Sequence, residues 1–408
     1  MKKFSELIEI KGHIIDSLTL PKIFDEILDH GGNYESEEIK IGRTKKDPSY
    51  ARIKVTAPSK PIIENIMSRI LKLGAAPVRQ TEVKLKETEN DGIFPDNFHI
   101  TTNLPAEIYI KGKWLQVENI CMDSGIAVTN DFKKAYCIKM NEVKRGDKIV
   151  LGHDGVRVDP GKRIKHKGVF EFMGSSISPE KSKWLIIKNI AENMKEIKSK
   201  RKGKILFVCG PAIIHTGARK YLEILINEGF IDILFSGNGF ATHDIEASLF
   251  GTSLGVSLKE GVQTKRGHEH HLRTINTIRK AGGIKKAVEK GILREGILYS
   301  CIKNGVDFVL AGSIRDDGPL PEVITDTNEA QALMRNKIKD VSLSIMIASM
   351  LHSIAIGNIL PSSVTTVCVD INPEMVTKLA DRGSFQAIGL VTDAELFLRE
   401  LTNYLFQI

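Results

Sequence analysis

Five apolar runs in the second half of the chain are each followed at once by small, acidic or imidazole side chains. ILFVC (205–209) runs into Gly210-Pro211 and AIIHTG, and DILFS (232–236) into Gly237, Asn238, Gly239, Thr242, His243 and Asp244. VDFVLAG (306–312) leads to Ser313, Arg315, Asp316, Asp317 and Gly318. TTVCVD (365–370) closes on Asp370 ahead of Asn372, and AIGLV (387–391) is followed by Thr392 and Asp393. Glycines let backbone approach a phosphate, and a helix start adds amide donors and a partial positive charge. Adjacent carboxylates such as Asp316 and Asp317 repel and diverge, which suits one to ribose hydroxyls and the other to a cationic substrate. Asp370, directly after an apolar strand, is placed to accept bonds from a ribose. Turn capping accounts for any one of these acids. Five loaded strand ends in one sheet point to a nucleotide. The nearest glycine fingerprint, GNGFAT at 237–242, ends in threonine where a third glycine is usual, with an N-cap at Thr242 or Asp244 before a helix IEASLFG.

Two further clusters carry chemistry. KRGHEHH (265–271) lacks the four-residue histidine spacing of a helical metal site, so it reads as a basic loop facing a substrate or as a helix start, with no metal. Ser349 and His352 lie three apart in SIMIASMLHSIAI, on one face of an apolar helix that passes the sheet, and there they line the cofactor cleft.

The elements that position these residues follow from hydrophobic period. Continuous apolar runs imply strands covered on both faces, hence a mostly parallel sheet, with helices supplied by stretches such as ARKYLEILINEG and NEAQALMRNKIKD. The fold class is α/β: a Rossmann-like domain over 196–408, preceded by two smaller domains. Residues 1–100 read β-α-β-β-α-β, a ferredoxin-like α+β order closed by a strand at Thr81 to Lys86. Residues 101–195 read as a small β-rich domain of short strands, GVFEFM (168–173) among them, with turns at Lys111-Gly112 and Asp154-Gly155, and then a connecting helix.

Composition bounds the class. With 408 residues, 42% hydrophobic and 26% charged, the chain is globular and long enough for two or three domains. Its net charge of +8 comes from lysines and arginines interleaved with acids, which argues against a nucleic-acid partner. Glu6, Glu9 and Lys11 interrupt any apolar leader, so no signal peptide is expected. The uncharged stretch 341–369 is diluted by serines, His352 and Asn358 and reads as a buried helix and strand, not a membrane span. Five dispersed cysteines without a CxxC pair suit a reducing compartment, hence a cytoplasmic protein, expected to form a homo-oligomer, dimer or tetramer.

With these strings in view, the chain resembles the archaeal-type ornithine cyclodeaminases, which are related to the C-terminal half of cyanobacterial bifunctional arginine dihydrolase/ornithine cyclodeaminases. GHIIDSLTLPKIFDEILDHGG and DPSYARIKV resemble the conserved region of lysine-oxoglutarate reductase/saccharopine dehydrogenase. GPAIIHTGA, SGNGFATHDIE, LAGSIRDDGPLPEVITD, VCVDINPEMVTKLADRGS and AIGLVTD carry the likeness through the nucleotide half. The resemblance implies NAD as cofactor, a deoxyhypusine-synthase-like NAD domain, and conversion of L-ornithine to L-proline and ammonia as part of proline biosynthesis. Hydride passes from the α-carbon to NAD, the δ-amine closes on the imine, ammonia leaves and hydride returns. For this chemistry Asp317 and Asp244 are the carboxylates expected to face the substrate amines, His243 the proton shuttle, and Arg315 or Lys265 the partner of the α-carboxylate. NAD would be held by Gly237, Asn238, Asp316, Ser349, His352, Asp370, Asn372 and Asp393. Two other readings use the same residues: a saccharopine-type or other amino-acid dehydrogenase with net hydride transfer, and an NAD-containing amino-acid sensor. Accumulation of NADH marks the first, absence of turnover the second.

Overall fold

The computed structural model describes residues 4–15, 18–43, 47–78, 81–159, 183–201, 203–258, 261–262, 264, 267–316, 318–381 and 387–406. The chain packs as two compact units, 1–164 with 361–363, and 165–360 with 364–408.

In the first unit, β1 (Phe4–Gly12), α1 (Thr19–Asp29), β2 (Asn33–Lys40), β3 (Ser49–Ala57), α2 (Lys60–Lys72) and β4 (Ala76–Pro77) form an antiparallel sheet ordered β2-β3-β1-β4. Strand β3 alternates in burial, and Ile53 and Val55 share one core with Ile23 and Ile27 of α1 and Ile66 and Ile70 of α2. This is the ferredoxin-like order, closed differently from the sequence expectation. The fourth strand is the two-residue Ala76–Pro77, too short to show alternation, while Lys84–Glu87 (β5) pairs with β10 (Lys148–Leu151) of a second sheet. That sheet adds β6 (Ala106–Ile110), β7 (Lys113–Glu118), β8 (Gly125–Val128), β9 (Ala135–Ile138) and β11 (Val156–Val158) in the order β11-β6-β7-β9-β8-β10-β5. Lys111 and Gly112 join β6 to β7 with φ of 49° and 74°, the two left-handed residues that a tight hairpin twisted like its strands requires. The strand expected at GVFEFM lies outside the described residues.

The second unit holds the strand ends singled out above. In chain order it contains α3 (Lys183–Lys200), β12 (Lys204–Cys209), α4 (Ala212–His215), α5 (Arg219–Asn227), β13 (Ile233–Gly237) and α6 (Asn238–Phe250). A short hairpin, β14 (Thr252–Ser253) and β15 (Val256–Ser257), precedes α7 (His270–Ala281), α8 (Ile284–Glu289) and α9 (Ile297–Asn304). Then follow β16 (Asp307–Ala311), β17 (Val323–Ile324), α10 (Thr327–Lys337), β18 (Val341–Ile347), α11 (Met350–Ile359), β19 (Thr365–Asp370), α12 (Pro373–Asp381), β20 (Ala387–Val391) and α13 (Ala394–Phe406). The sheet runs β17-β16-β13-β12-β18-β19-β20 and every pairing is parallel. Successive residues of β12 feed opposite layers. Ile205, Phe207 and Cys209 pack with α3, α5 and α13, whereas Leu206 and Val208 pack with Met334, Ile356 and Val376 of α10, α11 and α12.

Two features differ from the sequence reading. Val341–Ile347 is a central strand ahead of the helix (α11) and strand (β19) that the uncharged stretch predicts, so the helix is shorter than its apolar run. An apolar run covered on both faces carries no period that separates strand from helix. Helix α6 starts at Asn238, so GNGFATHD is helix rather than loop, and His243 and Asp244 sit mid-helix and buried. Among the described residues, no helix is long and apolar enough to cross a membrane.

Candidate functional site

The strand order reverses between β12 and β18: the chain moves outward from β12 to β17, then returns to place β18 on the other side of β12. Ligands of open parallel sheets sit beyond the carboxyl ends of the strands at such a point. Here Gly210 donates its N–H to Ile347 O at 2.9 Å, and a Cβ on Gly210 would lie 1.6 Å from the carbonyl oxygen of Ala348. Ala348 itself is held at φ 50°, a conformation that costs a non-glycine residue energy and is concentrated at ligand sites.

The next strand ends converge on the same rim. A Cβ on Gly237 would lie 2.9 Å from His352 Cε1, so the start of α6 packs directly on that imidazole. His352 Nδ1 lies 3.4 Å from Ser349 Oγ. Burial pushes the His352 imidazole below its ordinary pKa, and the Asp316 carboxylate partly opposes this. Asn238 donates from Nδ2 to Asp316 at 3.4 Å and accepts from Leu320 N at 3.0 Å and Thr242 Oγ1 at 3.3 Å. Asp316 also accepts Ser313 N at 2.8 Å, which closes the loop after β16. Gly237, Asn238, Asp316, Ser349 and His352 thus form one connected group at the ends of β13, β16 and β18.

Asp370, Asn372 and Asp393 lie at the neighbouring ends of β19 and β20. Asp370 Oδ1 accepts Asn372 N at 2.8 Å, and Asn372 Oδ1 accepts Glu374 N at 2.9 Å at the start of α12. Asp393 accepts Glu395 N at 2.7 Å and Leu396 N at 3.3 Å, capping α13. One oxygen of each of these residues is therefore committed to a turn or helix start.

Further along α6, its two sides do different things. Asp244 is fully buried, accepts Ile297 N and Leu298 N at 2.9 Å each, and pairs with Arg219 Nε at 2.9 Å. Its carboxylate is spent on the N-terminus of α9 and on an ion pair. His243 faces the opposite way, with Nδ1 3.0 Å from Glu246 Oε2. The rings of His215 and His271 flank it at 4.9 and 5.2 Å between centroids. Glu246, fully buried, also accepts Thr252 Oγ1 at 2.8 Å, Gly255 N at 2.9 Å and Leu254 N at 3.3 Å. Burial alone would raise its carboxyl; the bonds from His243, Gly255 and Thr252 outweigh burial and hold it below the usual range.

Arg315 is exposed on the loop after β16, with its N–H bonded to Ser313 Oγ at 3.1 Å. Asp317 and Lys265 lie outside the described residues. Sequence reasoning named neither Glu246 nor His215. The HxxE spacing at 243–246 was the available signal, and it is hidden when the segment is taken for a loop. His243, Glu246 and His271 have ligand atoms within 4.8 Å of one another, a set that could approach a cation. With four donors already on Glu246, its lone pairs are used, so the arrangement suits orientation of an imidazole better than coordination.

The residues do fit a dinucleotide. Helix α6, 13 residues long, has Gly237 as its N-cap and so no side-chain cap, leaving its first N–H groups for an anion, and glycines 210 and 237 keep the adjoining backbone bare. An all-parallel sheet with these strand ends defines a dinucleotide-binding α/β protein of Rossmann type. The family model of the arginine dihydrolase ArgZ-like C-terminal Rossmann fold matches residues 188–401, that of the ArgZ-like C-terminal first region 105–187, and that of the LOR/SDH bifunctional enzyme conserved region 5–104. The chain belongs to this ArgZ-like family of ornithine cyclodeaminases. It is 52% identical to the ornithine cyclodeaminase of Methanocaldococcus jannaschii, over 98% of this chain and 96% of that protein. Apo ArgZ, an arginine dihydrolase from the ornithine-ammonia cycle in cyanobacteria, superposes with a TM-score of 0.85 at 36% identity, covering 99% of this chain and 58% of ArgZ. AgrE in ternary complex with ornithine and NAD+ superposes with a TM-score of 0.54 at 40% identity, with coverage of 99% and 58%.

Proposed function

We propose that this chain converts L-ornithine to L-proline and ammonia with no net oxidation, using NAD bound across the ends of β12, β13, β16, β18 and β19. The observation that carries the reading is the group formed by Gly237, Asn238, Asp316, Ser349 and His352 at the start of the helix that also bears a buried histidine–carboxylate pair, in a chain 40% identical to a relative that binds ornithine and NAD+. When bound, NAD supplies a temporary store for the hydride taken from the substrate α-carbon.

The protein's own tasks are binding, orientation and proton movement. Gly210 and Gly237 keep the backbone bare where phosphates approach, and Asp316 and Asp370 accept from ribose hydroxyls. Asn372 and Asp393 fix the loops that frame them. His352, kept neutral by burial, packs without adding a charge beside a cationic ring. Arg315 or Lys265 holds the α-carboxylate, and Asp317 meets a substrate amine. His243 takes the proton that the α-ammonium must lose and returns one to the departing ammonia. Asp244 acts structurally, through α9. Ring closure gains from holding the chain folded back on itself; such proximity is worth on the order of 7 kcal/mol or more in well-oriented cases.

The reading extends to an assembly of like chains supplying proline in the cytoplasm; five buried free cysteines support the reducing compartment. The test is turnover of ornithine with catalytic NAD+, following proline, ammonia and NADH absorbance together. Equal proline and ammonia without accumulating NADH is expected. NADH growing in step with a keto product would instead assign a dehydrogenase.

A further inference from the structure

We infer that Glu246 is a positioning residue, resting on the reading of His243 as the proton carrier: it fixes His243 as the Nδ1–H tautomer and leaves Nε2 as the basic atom. Thr252 Oγ1, Leu254 N and Gly255 N converge on the two Glu246 oxygens, and backbone N–H groups can only donate. A buried carboxylate in that setting is ionised and has no proton to give, so at 3.0 Å the hydrogen between it and His243 belongs to Nδ1. A neutral imidazole protonated at Nδ1 carries its lone pair on Nε2, the form a proton acceptor needs.

The hairpin β14–β15 is shaped for this purpose. Leu254 and Gly255 both take left-handed backbone angles, φ 53° and 74°, which turns two successive N–H groups onto one carboxylate, a nest for an anion. A Cβ on Gly255 would lie 2.3 Å from the carbonyl carbon of Gly267, so the hairpin is also locked to the start of the histidine segment. Thr252 Oγ1 bridges to His270 Nδ1 at 2.8 Å, and Ser253 Oγ meets His215 Nδ1 at 2.7 Å. The titratable groups around His243 are therefore Glu246 on its own helix, His215 from α4, and His270 and His271 from α7, while Asp244 pairs with Arg219 of α5 and caps α9.

The test uses the NAD-loaded protein and two readouts. In 15N-histidine-labelled wild type, with the His243 signals assigned by their loss in H243N, the imidazole shifts report the tautomer without reference to turnover. Nδ1–H is expected, and an Nε2–H tautomer would overturn the inference. In Glu246→Gln the amide places a donor against Nδ1 and favours the wrong tautomer. With ornithine, kcat is expected to fall on the order of 10³-fold while KM changes less than about threefold. An unchanged rate in E246Q would overturn it too. Should wild type make no proline, the functional reading falls, and the tautomer measurement still decides the Glu246–His243 pairing.

Discussion

Replacing Gly210 by alanine tests whether β12 and β18 truly meet at a shared ligand rim. The added Cβ would stand 1.6 Å from Ala348 O, 2.4 Å from its carbonyl carbon and 3.0 Å from Ser349 N, all of them backbone atoms. A non-bonded carbon needs about 3.5 Å, so two central strand ends must part by roughly 2 Å. Overpacking of this kind costs about 1–3 kcal/mol, and losing the bond from Gly210 N to Ile347 O adds about 1 kcal/mol. About 2–4 kcal/mol in a unit of this size lowers Tm by roughly 4–16 °C. Gly237→Ala is the control. Its Cβ would meet the edge of the His352 ring at 2.9 Å, a side chain that can turn away. That variant should keep Tm within about 3 °C. Because the turned ring leaves Ser349, its NAD+ Kd should rise about tenfold, equal to about 1.4 kcal/mol. Thermal unfolding and calorimetric NAD+ titration measure both. A G210A protein with wild-type Tm, or one more stable than G237A, would refute the reasoning.

Three further outcomes follow from the same coordinates. Asp244→Ala takes one partner from the half-buried Arg219 and leaves the α9 amides unsatisfied, so denaturant unfolding should show a loss of about 2–4 kcal/mol. Glu223 is pushed up to about 7 by burial, since the Arg219 guanidinium 3.0 Å away is already shared with Asp244 at 2.9 Å. A carboxyl raised in the folded state stabilises fully below its unfolded value and loses that contribution as pH rises through the folded one. Stability should therefore fall from about pH 4.5 to 7 by on the order of 1–2 kcal/mol after allowance for partial exposure, and Glu223→Gln should flatten the slope. Asp370→Ala should weaken NAD+ about 10- to 100-fold in a binding titration with little change in Tm, as expected when charge-assisted bonds to a ligand are lost.

The parallel sheet was legible because strands covered on both faces read as apolar runs, and the polar residues after them marked the ligand rim. Gly237, Asn238 and Asp316 follow from that logic, Ser349 and His352 from sharing one face of an apolar helix, and the structure connects the five. What escaped was governed by tertiary context. Val341–Ile347 has a strand's burial with no alternation, so length and period left helix and strand degenerate. GNGFATHD contains two glycines and an Asp, which propensity assigns to a loop, yet packing on His352 and Pro211 makes it the first turns of α6. That shift turned Asp244 inward to α9 and brought His243 against Glu246, a pairing visible only once both are placed on one helix. Asn372 and Asp393 illustrate the opposite case, where the ordinary role of helix capping accounts for the bonds observed.

The central claim is that hydride leaves and returns to the same carbon within one active site. Ornithine deuterated at the α-carbon, turned over with unlabelled catalytic NAD+, tests it directly by mass and NMR analysis of the product. The account predicts proline carrying deuterium at C2, one ammonia per proline and no deuterium in the recovered cofactor pool. Proline with hydrogen at C2, or deuterium accumulating in NADH, would contradict it.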